Sequence, residues 1–156
     1  MPHIHDKIDF TVEVFVVYNN KVLLRKHDKY KLWLSVGGHI ELDEDSNEAA
    51  TREVKEEVGL EVHLYHESGY SLIKGRDYTE LIPPQFMNRH RINESHEHVT
   101  LVYFAIANTD KLIFSESEKS EDCKWFTSEE INNPEYQIKE NIKMYALSAL
   151  EKLAIN

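Results

Sequence analysis

The sequence predicts a single α/β domain, a mixed β-sheet with helices packed against it. Three observations lead there. Residues 10–18 (FTVEVFVVY) and 99–107 (VTLVYFAIA) are β-branched and aromatic runs of strand length. Residues 45–59 carry the start and stop signals of one helix. Strand and helix signals alternate irregularly, with no repeat, low-complexity tract or long linker between them.

Each element has a local cause. After the first run, Asn19-Asn20 makes a tight turn, because Asn tolerates positive φ. Residues 22–25 (VLLR) return as a second strand, followed by a polar loop at 27–31 and by 32–36 (LWLSV) leading into Gly37-Gly38. An acidic loop spans 39–45. Asp45 caps the next helix, and Glu48 three residues on completes a capping-box pair. Ala50, Val54 and Val58 form that helix's apolar stripe, and Gly59 ends it in the left-handed conformation. Residues 60–64 alternate as a strand. Residues 65–98, broken by Gly69, Gly75 and Pro83-Pro84, read as irregular. After the strand at 99–107 come an acidic loop at 115–122, a short strand at Trp125-Phe126 and a helix over 135–153. The apolar face of that helix is Ile138, Ile142, Tyr145, Ala146, Ala149, Leu150 and Leu153.

Composition narrows the function. The 156 residues suffice for one domain with one core, and 41% hydrophobic with 29% charged residues fits a globular protein. The formal net charge of −10 argues against nonspecific binding to nucleic acid or to an anionic membrane. No apolar run approaches the ~18 residues of a membrane helix. Cys123 is the sole cysteine, which excludes an internal disulfide and fits a reducing compartment. The N-terminus lacks a basic segment followed by an apolar run, so a cytoplasmic location is expected. His3 and His5 read as an exposed terminal pair.

The chemistry concentrates in REVKEEVG, residues 52–59. Glu53, Glu56 and Glu57, spaced i, i+3, i+4, lie on one helical face, where like charges repel by a few tenths of a kcal/mol. A divalent cation removes that repulsion. Mg²⁺ prefers oxygen ligands and keeps several waters, so three carboxylates leave positions for a phosphate and an attacking water. Arg52 can pair bidentately with a glutamate and fix its orientation. Glu44 can bind metal or pair with Arg52. Gly37 and Gly38 let the backbone approach closely, which offers a carbonyl to the metal shell.

Read together, Gly38, Glu44, Arg52, Glu53, Glu56, Glu57, Gly59 and Leu60 fill every fixed position of the Nudix box over 23 residues. The chain therefore resembles the MutT-like Nudix hydrolases. The resemblance implies an α/β/α sandwich. It also implies hydrolysis of the pyrophosphate linkage in a small nucleoside diphosphate derivative, such as a nucleoside triphosphate or a nucleotide sugar like ADP-ribose. It implies Mg²⁺ or Mn²⁺ bound by Glu53, Glu56 and Glu57, with one of these glutamates often the general base. Glu53, Glu56, Arg52 and Glu44 are the expected catalytic set, and Gly37 joins the metal ligands.

Other residues are secondary. The general base in relatives is sometimes a glutamate of a later loop, here Glu116, Glu118 or Glu121, with Glu94 and Glu97 as alternatives. Arg89 and Arg91 can clamp phosphate, and Phe86 can stack a base. His96 and His98 read as strand-edge residues, because no further Cys or His pattern completes a zinc site. Ser35-Val36 replaces the aromatic or leucine followed by proline that many nucleotide-hydrolysing relatives have before the glycines. The SVGGH wording is similar to the isopentenyl-diphosphate isomerase branch, but the cysteine that isomerase needs beside Gly-His is missing here. A non-catalytic nucleotide sensor is the other alternative, and such domains usually lose box glutamates. A homodimer is left open.

Overall fold

The computed structural model describes residues 3–116 and 122–155. Two long strands organise it. β1 (Ile8–Tyr18) and β7 (Glu97–Ala107) run parallel and in register from Ile8↔Glu97 to Val17↔Ile106. The outer edge of β1 is shared. β4 (Val36–His39) pairs antiparallel with its first half, and β2 (Lys21–Lys26) with its end. The outer edge of β7 is shared in the same way by β6 (Phe86–Arg91) and β5 (Val62–Leu64). β3 (Trp33–Leu34) and β8 (Asp122–Phe126) extend the sheet from β2. The sheet is mixed because the β1–β7 connection carries intervening structure, whereas β1 and β2 need only a tight turn. That turn has Asn19 and Asn20 at φ 48° and 61°, the geometry of a two-residue hairpin.

Strand alternation splits the core in two. Val12, Val14 and Val16 of β1 face Ala49, Ala50, Val54 and Val58 of helix α1 (Ser46–Val58). Phe15 and Val17 face Ile142, Tyr145, Ala146 and Ala149 of helix α3 (Glu140–Lys152). The result is the α/β/α sandwich. Each fully buried valine, isoleucine or phenylalanine among them contributes about 1.5–3 kcal/mol.

Three local expectations change. The segment expected to be irregular contains β6. Its sequence, FMNRHR, shows no apolar alternation because most of its residues are exposed and its hydrogen bonds to β7 carry it. The last helix begins at Glu140 rather than 135. Pro134–Tyr136 is a 3₁₀ turn, and Gln137 at φ 53° breaks any continuation. A short helix, α2 (Ser128–Asn132), was not anticipated. Its capping box, Thr127 with Glu130, is present in the sequence as T-x-x-E.

Candidate active site

Helix α1 is fixed at both ends, which sets where its acids point. Asp45 Oδ1 accepts from the Asn47 and Glu48 N–H groups at 2.8 and 2.9 Å, and Glu48 Oε2 accepts from the Asp45 N–H at 2.9 Å. At the other end Gly59 has φ 72° and donates to the Lys55 carbonyl at 3.0 Å. The loop–helix junction is closed by contact. A Cβ on Gly38 would lie 2.2 Å from Glu53 Oε1, so glycine is required for Glu53 to occupy its position.

Arg52 gathers the acids. Its Nε and Nη2 donate to the two oxygens of Glu44 at 2.9 and 2.6 Å. Its Nη1 donates to Glu53 Oε1 and Glu56 Oε2, each at 3.0 Å, and Nη2 also donates to the His39 carbonyl at 3.0 Å. Such a fork is within reach of arginine and not of lysine. Hydrogen bonds from Arg52 hold the Glu44 carboxyl below its ordinary range, and those bonds raise Arg52. Burial pushes the Glu53 carboxyl up, with Arg52 opposing.

Glu57 takes no bond from Arg52; it is paired with Arg25 and accepts from the Gly37 N–H at 3.3 Å. Gly37 thus meets Glu57 through its N–H, and a side chain there would collide with the Val12 carbonyl. Four carboxylates, Glu44, Glu53, Glu56 and Glu57, face two guanidiniums, Arg25 and Arg52. Fully ionised, the cluster carries a surplus of negative charge.

This geometry coincides with the family comparison. The family model for the NUDIX domain matches residues 8–147. The chain belongs to the Nudix hydrolase family. It is similar to a NUDIX-family hydrolase from Clostridium perfringens at 38% identity and TM-score 0.83, covering 93% of this chain and 97% of that one. A MutT NUDIX hydrolase from Burkholderia pseudomallei shares the fold at 19% identity and TM-score 0.61, covering 96% and 100% of the two chains. The mutator MutT protein from Bacillus halodurans does so at 17% identity and TM-score 0.62, covering 91% and 82%. No curated protein matches the chain.

In this Nudix hydrolase a cleft of about 250 Å³ opens between β1, β4, β6 and β7, lined by Glu13, Gly37, Gly38, His39, His90 and His98 among others. Glu13 and the histidines were not among the expected catalytic residues. Burial pushes the Glu13 carboxyl up to about 7, and its Oε2 is buried without a hydrogen-bond partner. Burial also lowers His39 and His90, and lowers His98 to about 4, so near neutral pH the cleft wall is lined by uncharged imidazoles. The alternation of β1 places Glu13 on the face of Phe15, a position that reads in sequence as a strand residue like any other.

The remaining expected residues scatter. Phe86 is partly exposed, with its ring 5.1 Å from Tyr145 and 6.2 Å from Phe104. Arg89 donates to Glu97 through Nε at 2.7 Å, and Arg91 is the register partner of Glu97. Both arginines alternate with His90, which is the β6 residue that lines the cleft. Glu94 and Glu116 are exposed, and Glu118 and Glu121 lie outside the described residues.

Proposed function

We propose that this Nudix hydrolase cleaves the pyrophosphate linkage of a nucleoside diphosphate derivative, such as a nucleoside triphosphate or a nucleotide sugar like ADP-ribose. The reading takes residues 1–156 as one domain acting on a small molecule in the cytoplasm, with Mg²⁺ or Mn²⁺ as cofactor. The observation that carries it is the Arg52 network, which holds Glu44, Glu53 and Glu56 together beside Gly38.

The donor set fits a hard divalent cation, being all oxygen, with surplus negative charge and with Glu53 fitted into the space a Gly38 side chain would fill. Glu53, Glu56 and Glu57 would hold it, with the Gly37 backbone adjacent. Such an ion, when bound, polarises a phosphoryl oxygen and lowers the pKa of a coordinated water. The chain's residues do the positioning. Arg52 fixes the carboxylate orientations, and Glu44 fixes Arg52. Phe86, on the same face of β6 as His90, offers a ring for a base, whereas Arg89 and Arg91 alternate away from that face and are given no part in the cleft.

The test is a screen of diphosphate compounds with Mg²⁺ and with Mn²⁺, with both products identified. The expected result is metal-dependent release of a nucleoside monophosphate. Glu56→Gln and Glu57→Gln should fold normally and lose at least about 100-fold in rate. Unchanged turnover in those variants defeats the assignment. Tight nucleotide binding with no turnover of any compound would make the protein a sensor instead.

A further inference from the structure

A second group of ligand-type side chains lies where β1 and β7 begin, and the box does not use it. Asp9 and His98 are register partners across the parallel β1–β7 pair. His96 immediately precedes β7, and His3 folds back from the N-terminal segment so that its ring lies 3.6 Å from that of His96. One ligand atom from each of His3, Asp9, His96 and His98 falls within 4.8 Å of all the others. Asp9 is fully buried and His96 is 3% exposed.

The surroundings of Asp9 Oδ2 are overfilled. It has His39 Nε2 at 3.1 Å, the Ile4 N–H at 3.1 Å, His3 Nδ1 at 3.2 Å and His96 Nε2 at 3.3 Å. One carboxylate oxygen has about two lone-pair sites, and the Ile4 N–H takes one. The close approaches of His39 Nε2 and His96 Nε2 are not hydrogen bonds in geometry, and His98 Nε2 is buried without a partner as well. Buried polar atoms are almost always hydrogen-bonded, so the orphaned Nε2 atoms of His96 and His98, both beside Asp9, need an explanation.

The tautomer of His96 supplies it. Its Nδ1 lies 3.3 Å from the Asp6 carbonyl, which can only accept, so Nδ1 carries the proton. In the neutral ring Nε2 then carries the lone pair, which no protein donor satisfies and which is free to ligate a metal ion.

We propose that His3, Asp9, His96 and His98 bind a transition-metal ion, Zn²⁺ in the first instance, at a site separate from the box glutamates. Imidazole-rich sets favour zinc and its neighbours, whereas Mg²⁺ takes oxygen ligands. A tetrahedral zinc with bonds of about 2.0–2.1 Å has ligand–ligand edges of about 3.3–3.4 Å. The Asp9–His3 and Asp9–His96 separations, 3.2 and 3.3 Å, are close to that edge. Outer contacts are in place too: the His5 N–H holds Asp9 Oδ1 at 2.7 Å, and the Asp6 carbonyl holds His96. His39 joins the two sites. Its ring stands beside Asp9, and its carbonyl accepts from Arg52. The ion would brace β1 against β7 and, through His39, steady the floor of the cleft.

The experiment uses the tag-free full chain, stripped with a chelator and titrated with Zn²⁺ calorimetrically, with Co²⁺ as a spectroscopic probe. The Glu53→Gln/Glu56→Gln/Glu57→Gln variant, lacking the box donors, should still bind one Zn²⁺ and give the visible absorption of nitrogen-ligated Co²⁺. His96→Ala and Asp9→Asn should abolish that binding. His3→Ala, on the partly exposed terminal segment, leaves the fold intact and should weaken it by at least about tenfold. If either buried substitution fails to fold, His3→Ala decides. A box-deficient variant that binds no Zn²⁺, or a His3→Ala affinity equal to that of the unsubstituted chain, overturns the proposal.

Discussion

Gly38 makes room for Glu53: a Cβ on the glycine would stand 2.2 Å from Glu53 Oε1 and 2.5 Å from its carboxyl carbon. The obstructing atoms are the end of a flexible side chain, so Gly38→Ala should fold, with a stability loss under about 1 kcal/mol in urea denaturation. Its carboxylate must swing away, and turnover should fall roughly 100-fold, as a misplacement of about 1 Å costs. At Gly37 the obstruction is the Val12 carbonyl, which is backbone. Gly37→Ala should therefore cost about 1–3 kcal/mol in the same measurement. Equal effects at the two glycines would refute the distinction.

Arg52 reaches Glu44, Glu53, Glu56 and the His39 carbonyl with one planar group. Lysine keeps the charge and loses the fork. Arg52→Lys should reduce turnover or divalent-cation affinity by roughly 10–100-fold, the usual effect of losing a group that orients metal ligands. Steady-state kinetics over a range of Mg²⁺ concentrations distinguishes the two, and full activity would show that charge alone suffices.

Glu13 is a half-buried acid whose carboxyl is raised from 4.5 to about 7. In the unfolded chain it loses its proton near 4.5, so between those values the folded state binds more protons. Its contribution is most favourable below 4.5 and is lost as pH rises through 7, a difference on the order of 3 kcal/mol. Comparing urea midpoints of the unsubstituted chain and Glu13→Gln at pH 5 and pH 8 isolates it. The variant should gain stability relative to the parent at pH 8, and parallel pH profiles would show that Glu13 titrates normally.

The ends of α1 should carry separable stability. Asp45→Ala removes the acceptor for two N–H groups and should cost about 1 kcal/mol. Gly59→Ala forces a side chain to φ 72° and against Ile113, 2.6 Å away, and should cost more than the cap. Thermal melts of both variants rank the two, and the reverse order would mean that the left-handed turn relaxes.

The helix and its acids were legible because their determinants are local. Asp45, Glu48 and Gly59 act within one helix length, the i, i+3, i+4 spacing groups Glu53, Glu56 and Glu57, and Arg52 meets Glu56 as an i, i+4 partner. β6 was hidden because an exposed strand held by its backbone leaves no apolar alternation to read. The last helix was drawn too early because Ile138 lies in the same core as Ile142 without being helical. Glu13, Asp9 and the histidines escaped for a different reason. His96 and His98 showed no completing pattern because Asp9 and His3 come from the other end of the chain, and the β1–β7 register with the folded-back N-terminal segment unites them.

That register has a kinetic consequence. Thr11 and Thr100 share a buried hydrogen bond at 2.7 Å across 89 residues of chain, while helix α1 closes over 13. Long-range parallel closure is slow because its loop entropy is spent before its contacts form. The acids should thus be assembled early and the cleft that aims them late. In stopped-flow refolding the far-ultraviolet helical signal should rise ahead of the near-ultraviolet signal of the packed aromatics. Between those two phases the chain would hold its box without a sheet to work against.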